Sequence, residues 1–215
     1  MLDLNLILAL SQACAPQAAP QTMAAIAWTE SRFDPLAIGV NRGPRPARRP
    51  RDAADAARIA RGLLARGANL DLGLAQINSA NLAWLGLSVE AAFDPCRNLS
   101  AAGVVLRAGY RPTPDGDRQA ALRVALSRYN TGHPERGFRN GYVARVERAA
   151  VALSLAPPRP VTANAAAEAP LVVRPATQAP SSRTPETPAW DVFGRARFSA
   201  TLAFAPSEPS WRDPR

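Results

Sequence analysis

The chain has 215 residues, room for one domain with extensions or at most two small domains, and 47% of them are apolar, enough for a core. Its net charge is +9 and every basic residue is arginine; this suits an anionic polymer or surface, yet no zinc-finger spacing, aromatic RNA-binding signature or basic-zipper heptad speaks for nucleic acid. Two cysteines and one histidine fall short of the four ligands of a structural zinc site, and no metal or cofactor is expected.

Taken in chain order, "MLDLNLILALSQACA" has a short apolar stretch, no preceding positive charge, and interruptions at Asp3 and Asn5. These features speak against a secretion signal. Leu2, Leu6, Ile7 and Leu10 give a helical stripe, so a first helix is expected over roughly Asp3 to Cys14. No run reaches the roughly 18 apolar residues that span a bilayer. A second helix starts at Pro20, a favoured first-turn residue, and runs to about Arg32. Residues 39–51, "GVNRGPRPARRPR", read as an arginine-rich loop. Asp52 can cap a third helix with Ile59, Leu63 and Leu64 on its buried side and Gly67 at its end. "NLDLGLAQIN" lacks helical spacing and carries a glycine, which predicts an extended or hairpin segment. Ser79 or Asn81 starts one short helix and Ser88 another. Pro95 opens a longer helix to about Tyr110. "GDRQAALRVALSRYN" and "FRNGYVARVERAAVALSL" read as two amphipathic helices. Composition changes near residue 156: eleven of the 21 prolines fall within residues 157–215, the pattern of an extended, disordered tail. Trp190, Phe193, Phe198, Phe204 and Trp211 in that tail fit a docking motif and incidental aromatics equally well.

One carboxylate stands out. Glu30 ends the apolar run "AIAWTE", and apolar neighbours raise a carboxyl pKa by penalising the charged form. A raised pKa is what a general acid needs to protonate a poor leaving group such as a glycosidic oxygen. Most glycosidases add a second carboxylate. Asp34 lies four residues on, but Pro35 disfavours helix there, and Asp71 in the hairpin segment suits a turn role as well as any other. Chemistry through the single histidine would need His133, which sits in the Gly/Pro-containing loop "YNTGHPERG" and reads as a bystander.

Three stretches follow in order: Glu30-Ser31 at a helix end, "GLAQIN" from Gly73 to Asn78, and Tyr129-Asn130-Thr131-Gly132. With "FDPLAIGVN" and "FDPCRNLSAA", the set resembles the lytic transglycosylases of the soluble (SLT) type, above all their VirB1-like branch, which accompanies type IV secretion systems. The resemblance covers roughly residues 2–155. It implies a mainly α, lysozyme-like domain of the goose-type fold over residues 1–156, with a small β-hairpin element, followed by the disordered tail over 157–215. It also implies peptidoglycan cleavage between N-acetylmuramic acid and N-acetylglucosamine with a 1,6-anhydro product, Glu30 serving first as acid and then as base. Ser31, Gly73, Gln76, Asn78, Tyr129 and Asn130 are then the substrate-groove residues: Gly73 for close backbone approach to sugar, Gln76 and Asn78 for hydrogen bonds, Tyr129 for a phenol near the acid, Asn130 for the shape of its loop, and Ser31 for a hydrogen bond near Glu30. Gln76 satisfying backbone and Tyr129 serving as core are the bland alternatives. Ala75 stands where many members carry methionine, a change that would widen the groove.

"DPCRNL" carries a cysteine at the family position, so the resemblance implies a Cys14–Cys96 disulfide; two buried free thiols would suit a reducing cytosol. Peptidoglycan lies outside the cytoplasm, where disulfides persist, so a periplasmic location follows from the substrate. Glycan strands are the expected partner, with secretion-system components reached through the tail. Two rivals stand beside this reading: a goose-type lysozyme that hydrolyses the same bond, and a non-catalytic wall-binding or assembly protein.

Overall fold

The computed structural model describes residues 1–112 and 116–153. The tail expected over 157–215 and the domain boundary at 156 lie outside the described residues.

The described chain is mainly helical with one small antiparallel sheet. Helix α1 (Leu4–Cys14) is capped by Asp3, whose carboxylate accepts from the Leu6 N–H at 2.9 Å. Its buried face is centred on Ile7 and Ser11, flanked by Leu4 and Leu8, whereas Leu6 is 41% exposed. Of the stripe expected through Leu2, Leu6, Ile7 and Leu10, Ile7 is fully buried and Leu2 and Leu10 pack on the core, while Leu6 alone is exposed. At 100° per residue, positions 4, 7, 8 and 11 share a face, and Leu6 points off it. Helix α2 (Pro20–Ser31) is the central helix, buried from Thr22 through Ala27. Its alanines at 24, 25 and 27 let α1 and α7 (Tyr142–Ala152) pack close on either side.

Residues 38–42 correct the arginine-rich loop. Ile38–Arg42 forms strand β1, pairing antiparallel with β2 (Asn69–Leu72), which pairs with β3 (Ile77–Asn78). The expected hairpin thus forms the central and one edge strand of a three-stranded sheet in the order β1-β2-β3. A strand of five residues whose partner lies about thirty residues away leaves little local signal. Beyond it the loop folds back onto Asp55 of α3 (Ala53–Leu64). Arg48 holds Asp55 with both guanidinium branches at 2.6 and 2.8 Å, the Arg51 N–H donates at 3.1 Å, and Arg58 adds a further bond. Arg48 foremost holds the Asp55 carboxyl well below the usual range. Asp52 caps α3 by accepting from the Asp55 N–H at 2.8 Å. The helix buries Ala56, Ala57, Ala60 and Leu63, with Ile59 and Leu64 only partly covered.

Single 3₁₀ turns occupy Ser79–Asn81 and Ala91–Phe93, and Asp94 caps α4 (Pro95–Gly109). Helix α5 (Arg118–Thr131) ends on Gly132 at φ 69°. The last amphipathic stretch is not one helix. It is divided into α6 (Arg136–Arg139) and α7, because Gly141 turns to φ 74° and the Asn140 side chain accepts from the Tyr142 N–H at 2.9 Å. His133 stays within its turn, where Nδ1 accepts from the Glu135 N–H at 3.2 Å. Among the described residues no helix is long and apolar enough to cross a membrane.

A disulfide joins Cys14, at the end of α1, to Cys96, at the start of α4, across 82 residues of sequence. A loop of that size confers about 4.5 kcal/mol in the chain-entropy account, with measured values often lower. The double Cys14→Ser/Cys96→Ser variant should therefore unfold at distinctly lower denaturant. Because neither sulfur lines the cleft described below, turnover at low temperature should persist. Unfolding curves of the two proteins would test this, and coincident midpoints would contradict it.

Candidate active site

Glu30 lies one residue from the end of α2, and the chain turns sharply just beyond it. Arg32 and Phe33 both take left-handed backbone, at φ 58° and 64°, a conformation that costs a non-glycine residue about 1 kcal/mol or more. Ring contacts hold the turn. Trp28 and Phe33 meet edge to face at 5.1 Å, and the Arg32 guanidinium lies 4.8 Å from the Trp28 ring centroid. Ser31 donates from its hydroxyl to Leu74 O at 2.7 Å, which fastens the helix end to the β2–β3 turn.

That turn is built on Asn98, which is fully buried. Its amide donates to Leu72 O at 2.8 Å and Ala92 O at 2.7 Å, and its oxygen accepts from the Ala75 N–H at 2.8 Å. Gly73 sits against it at φ 75°; a Cβ there would stand 2.3 Å from Ala92 O and 2.5 Å from the Asn98 amide nitrogen. A close approach to Ala92 and Asn98 therefore requires this glycine. Ala75 is fully buried.

Glu30 opens into a cleft of about 460 Å³. One wall is the polar face of the sheet, with Asn41, Asn69, Asp71 and Asn78. The other is the end of α5, with Arg128, Tyr129 and Asn130. The sheet face is a single hydrogen-bonded array. Asn41 and Asn78 each donate to one oxygen of Asp71 at 2.7 Å, and the Asn69 and Asn78 amides donate to one another at 3.1 and 2.9 Å. Gln76, itself at φ 50°, lines the same cleft while donating to Gly73 O at 2.9 Å and Ala37 O at 3.3 Å. Both its N–H groups are therefore engaged with backbone. Asn130 accepts from the Asn140 amide at 2.9 Å.

The fold gathers Glu30, Gln76, Asn78, Tyr129 and Asn130 around this one cleft; Ser31 and Gly73 lie behind it and shape it. Two residues carry more than their sequence suggested. The first is Tyr142, whose hydroxyl donates to Glu30 Oε1 at 2.6 Å. The phenol of Tyr129, expected near the acid, lines the same cleft as Glu30 and donates to Ala75 O at 2.7 Å. The second is Asp71, which faces the cleft rather than serving a turn. Its signal was present: in "NLDL" Leu70 and Leu72 are buried, so Asn69 and Asp71 must share the opposite face.

Burial pushes the Glu30 carboxyl up to about 7; the Tyr142 hydrogen bond pulls it down, the Asp71 charge pushes it up, and Arg145 pulls it down. Burial likewise holds Tyr129 and Tyr142 far above the ordinary phenol range, so both remain protonated donors. A carboxyl poised near neutrality can give up a proton and take one back, the requirement for acid–base work at one position. Tyr142→Phe would remove a donor that favours the charged carboxylate. The Glu30 pKa should then rise further, moving the alkaline limb of a pH–rate profile upward with a several-fold loss of rate. An unmoved limb would show that Tyr142 does not control this proton.

Residues 7–151 match the family described as Transglycosylase SLT domain. Among curated proteins the chain is 42% identical over 183 residues to Protein virB1 of Agrobacterium fabrum, covering 84% of this chain and 67% of that protein. It is 47% identical over 141 residues to Protein virB1 of Rhizobium radiobacter, covering 65% of this chain and 59% of that one. It is 45% identical over 135 residues to the type IV secretion system protein virB1 of Brucella abortus biovar 1, covering 61% and 56%. The chain thus spans between 56% and 67% of the length of these relatives. No solved structure matches it.

Proposed function

The chain belongs to the transglycosylase SLT family, and from that premise we propose that it cleaves the β-1,4 bond between N-acetylmuramic acid and N-acetylglucosamine in peptidoglycan, leaving a 1,6-anhydro end. The observation that carries this reading is Glu30: a helix-end carboxyl facing a polar cleft, bonded to Tyr142, with its pKa at about 7. Protonated Glu30 gives its proton to the glycosidic oxygen as the bond to C1 breaks. The N-acetyl group of the substrate covers the cationic C1, and the negative charge of Asp71 favours that cation from the sheet wall. Glu30, now charged and held by the Tyr142 hydroxyl, takes the proton of the sugar's 6-hydroxyl as that oxygen closes on C1. The acid is restored and no water is consumed.

The wall lies outside the cytoplasm, and the Cys14–Cys96 bridge suits an oxidising compartment; a periplasmic enzyme is the corresponding location. The likeness to the type IV secretion system protein virB1 of Brucella abortus biovar 1 supports a place beside such an apparatus, where cleavage of this kind would open the wall locally. Mass spectrometry of products released from purified sacculi tests the chemistry: anhydro-ended muropeptides are expected. A second reading, hydrolysis by a carboxylate pair, is favoured by Asp71, since two carboxylates are the usual equipment of a hydrolase. Reducing ends among the products would select it. No release at all would overturn both.

A further inference from the structure

Trp84 is the most exposed aromatic ring among the described residues, with 59% of its surface open. A single exposed apolar residue is ordinary; its support and its place make this one different. The turn that carries it leaves β3 and is bound down at several points. Asn78 Oδ1 accepts from the Ala80 N–H at 3.0 Å, and the Ser79 hydroxyl accepts from the Leu70 N–H of β2 at 3.0 Å. The N–H groups of Leu85 and Leu87 donate to Asn81 O at 3.0 Å and Leu82 O at 2.9 Å, closing helical turns across residues 81–87. Leu82 is buried, and Leu85 and Leu87 pack on the core. One side of the turn is thereby anchored, and the indole is held out on the other.

Residues three apart in such a turn share a face. Asn81 lines the cleft, and Trp84 follows it by three residues in the same bound-down turn. Asn78 and Asn81 line the cleft and Trp84 comes next at the same three-residue spacing, amide, amide and indole. That succession suits a pyranose chain: amides meet hydroxyl and acetamido groups, and the electron-rich indole face meets the C–H face of a ring.

We propose that Trp84 is a stacking platform for a sugar ring of the glycan strand, one that lies outside the cleft while Glu30 acts on a bond within it. This rests on the glycan reading of the cleft. It makes the length of the strand, rather than the cleaved bond, the quantity that Trp84 reads.

Isothermal titration of the full chain carrying Glu30→Gln with N-acetylglucosamine oligomers of two to six units is the test. Trp84→Ala, added to that variant, should weaken the hexasaccharide about tenfold and leave the disaccharide unchanged, the disaccharide serving as the fold control; Trp84→Phe should recover part of the loss. In the otherwise native enzyme, Trp84→Ala should raise KM on sacculi by a similar factor with kcat retained. Equal affinities at every length, an equal loss at every length, or a fall in kcat alone would overturn the platform. Sacculus cleavage by the native chain reports separately on the glycan reading, so that cleavage with a silent Trp84 removes only this inference.

Discussion

Glu30→Gln should reduce glycan cleavage by at least about a thousandfold, the combined scale of losing an acid and a base at one position, and it should make the protein more stable at neutral and alkaline pH. The second half follows from the same pKa. An unfolded glutamate releases its proton near 4.5, whereas folded Glu30 keeps it to about 7. Between those values the folded state binds the extra proton, so stability is full below about 4.5 and falls as pH rises toward 7. At about 1.4 kcal/mol per pH unit the interval corresponds to roughly 3 kcal/mol. An amide keeps an oxygen for the Tyr142 hydroxyl but never carries the buried charge. The variant should therefore gain on the order of that amount at pH 8 and nothing below pH 4.5. Denaturant melts at the two pH values, beside turnover on purified sacculi, check both halves. Turnover within a few-fold of native would remove Glu30 from the reaction. An inactive variant with no gain at pH 8 would show that the Glu30 pKa is not raised in the folded protein.

What was legible in the chain and what was not divides by range. Pro20, Asp52 and Pro95 are local punctuation, readable because a cap or a first-turn proline acts within four residues; the structure has helix boundaries at each of them. Glu30 was conspicuous for the same reason, since the apolar residues around it are its own helix. Strand β1 was missed because its hydrogen bonds run to Asn69–Leu72, and nothing in "IGVNR" alone decides between strand and loop. At Gly141 a 3.6-residue pattern continues across the residue and conceals its left-handed backbone. Tyr142 lies 112 residues from Glu30, and only the packing of α7 against α2 brings the two together. A motif records that a glycine is needed at position 73, not which side of the turn it serves, so its contact with Asn98 and Ala92 is visible only in the structure.

Asp71→Asn should slow cleavage roughly ten- to hundredfold and move the alkaline limb of the pH–rate profile downward. Two effects separate here. The Asp71 charge is one of the influences holding the Glu30 proton in place; without it the Glu30 pKa falls, and the acid form is lost at lower pH. That alone would leave the rate at pH 5 almost untouched. The larger loss comes from the reaction itself, in which positive charge grows on the sugar between the two walls. A carboxylate a few ångströms from a developing cation is worth about 2–4 kcal/mol at an effective dielectric near 20, and part of that is already screened by the amides of Asn41 and Asn78 on its two oxygens. Asparagine keeps the shape and an oxygen for one of those amides, and it presents its own N–H₂ to the other, so some local rearrangement of the array is expected. Asn78→Ala serves as the comparison, because it disturbs the same array and leaves the charge. If Asp71 acts through its charge, Asp71→Asn lowers kcat at pH 5 and Asn78→Ala chiefly raises KM. Matching losses in kcat for the two variants would mean that the array is structural and that Glu30 works without electrostatic help from the sheet.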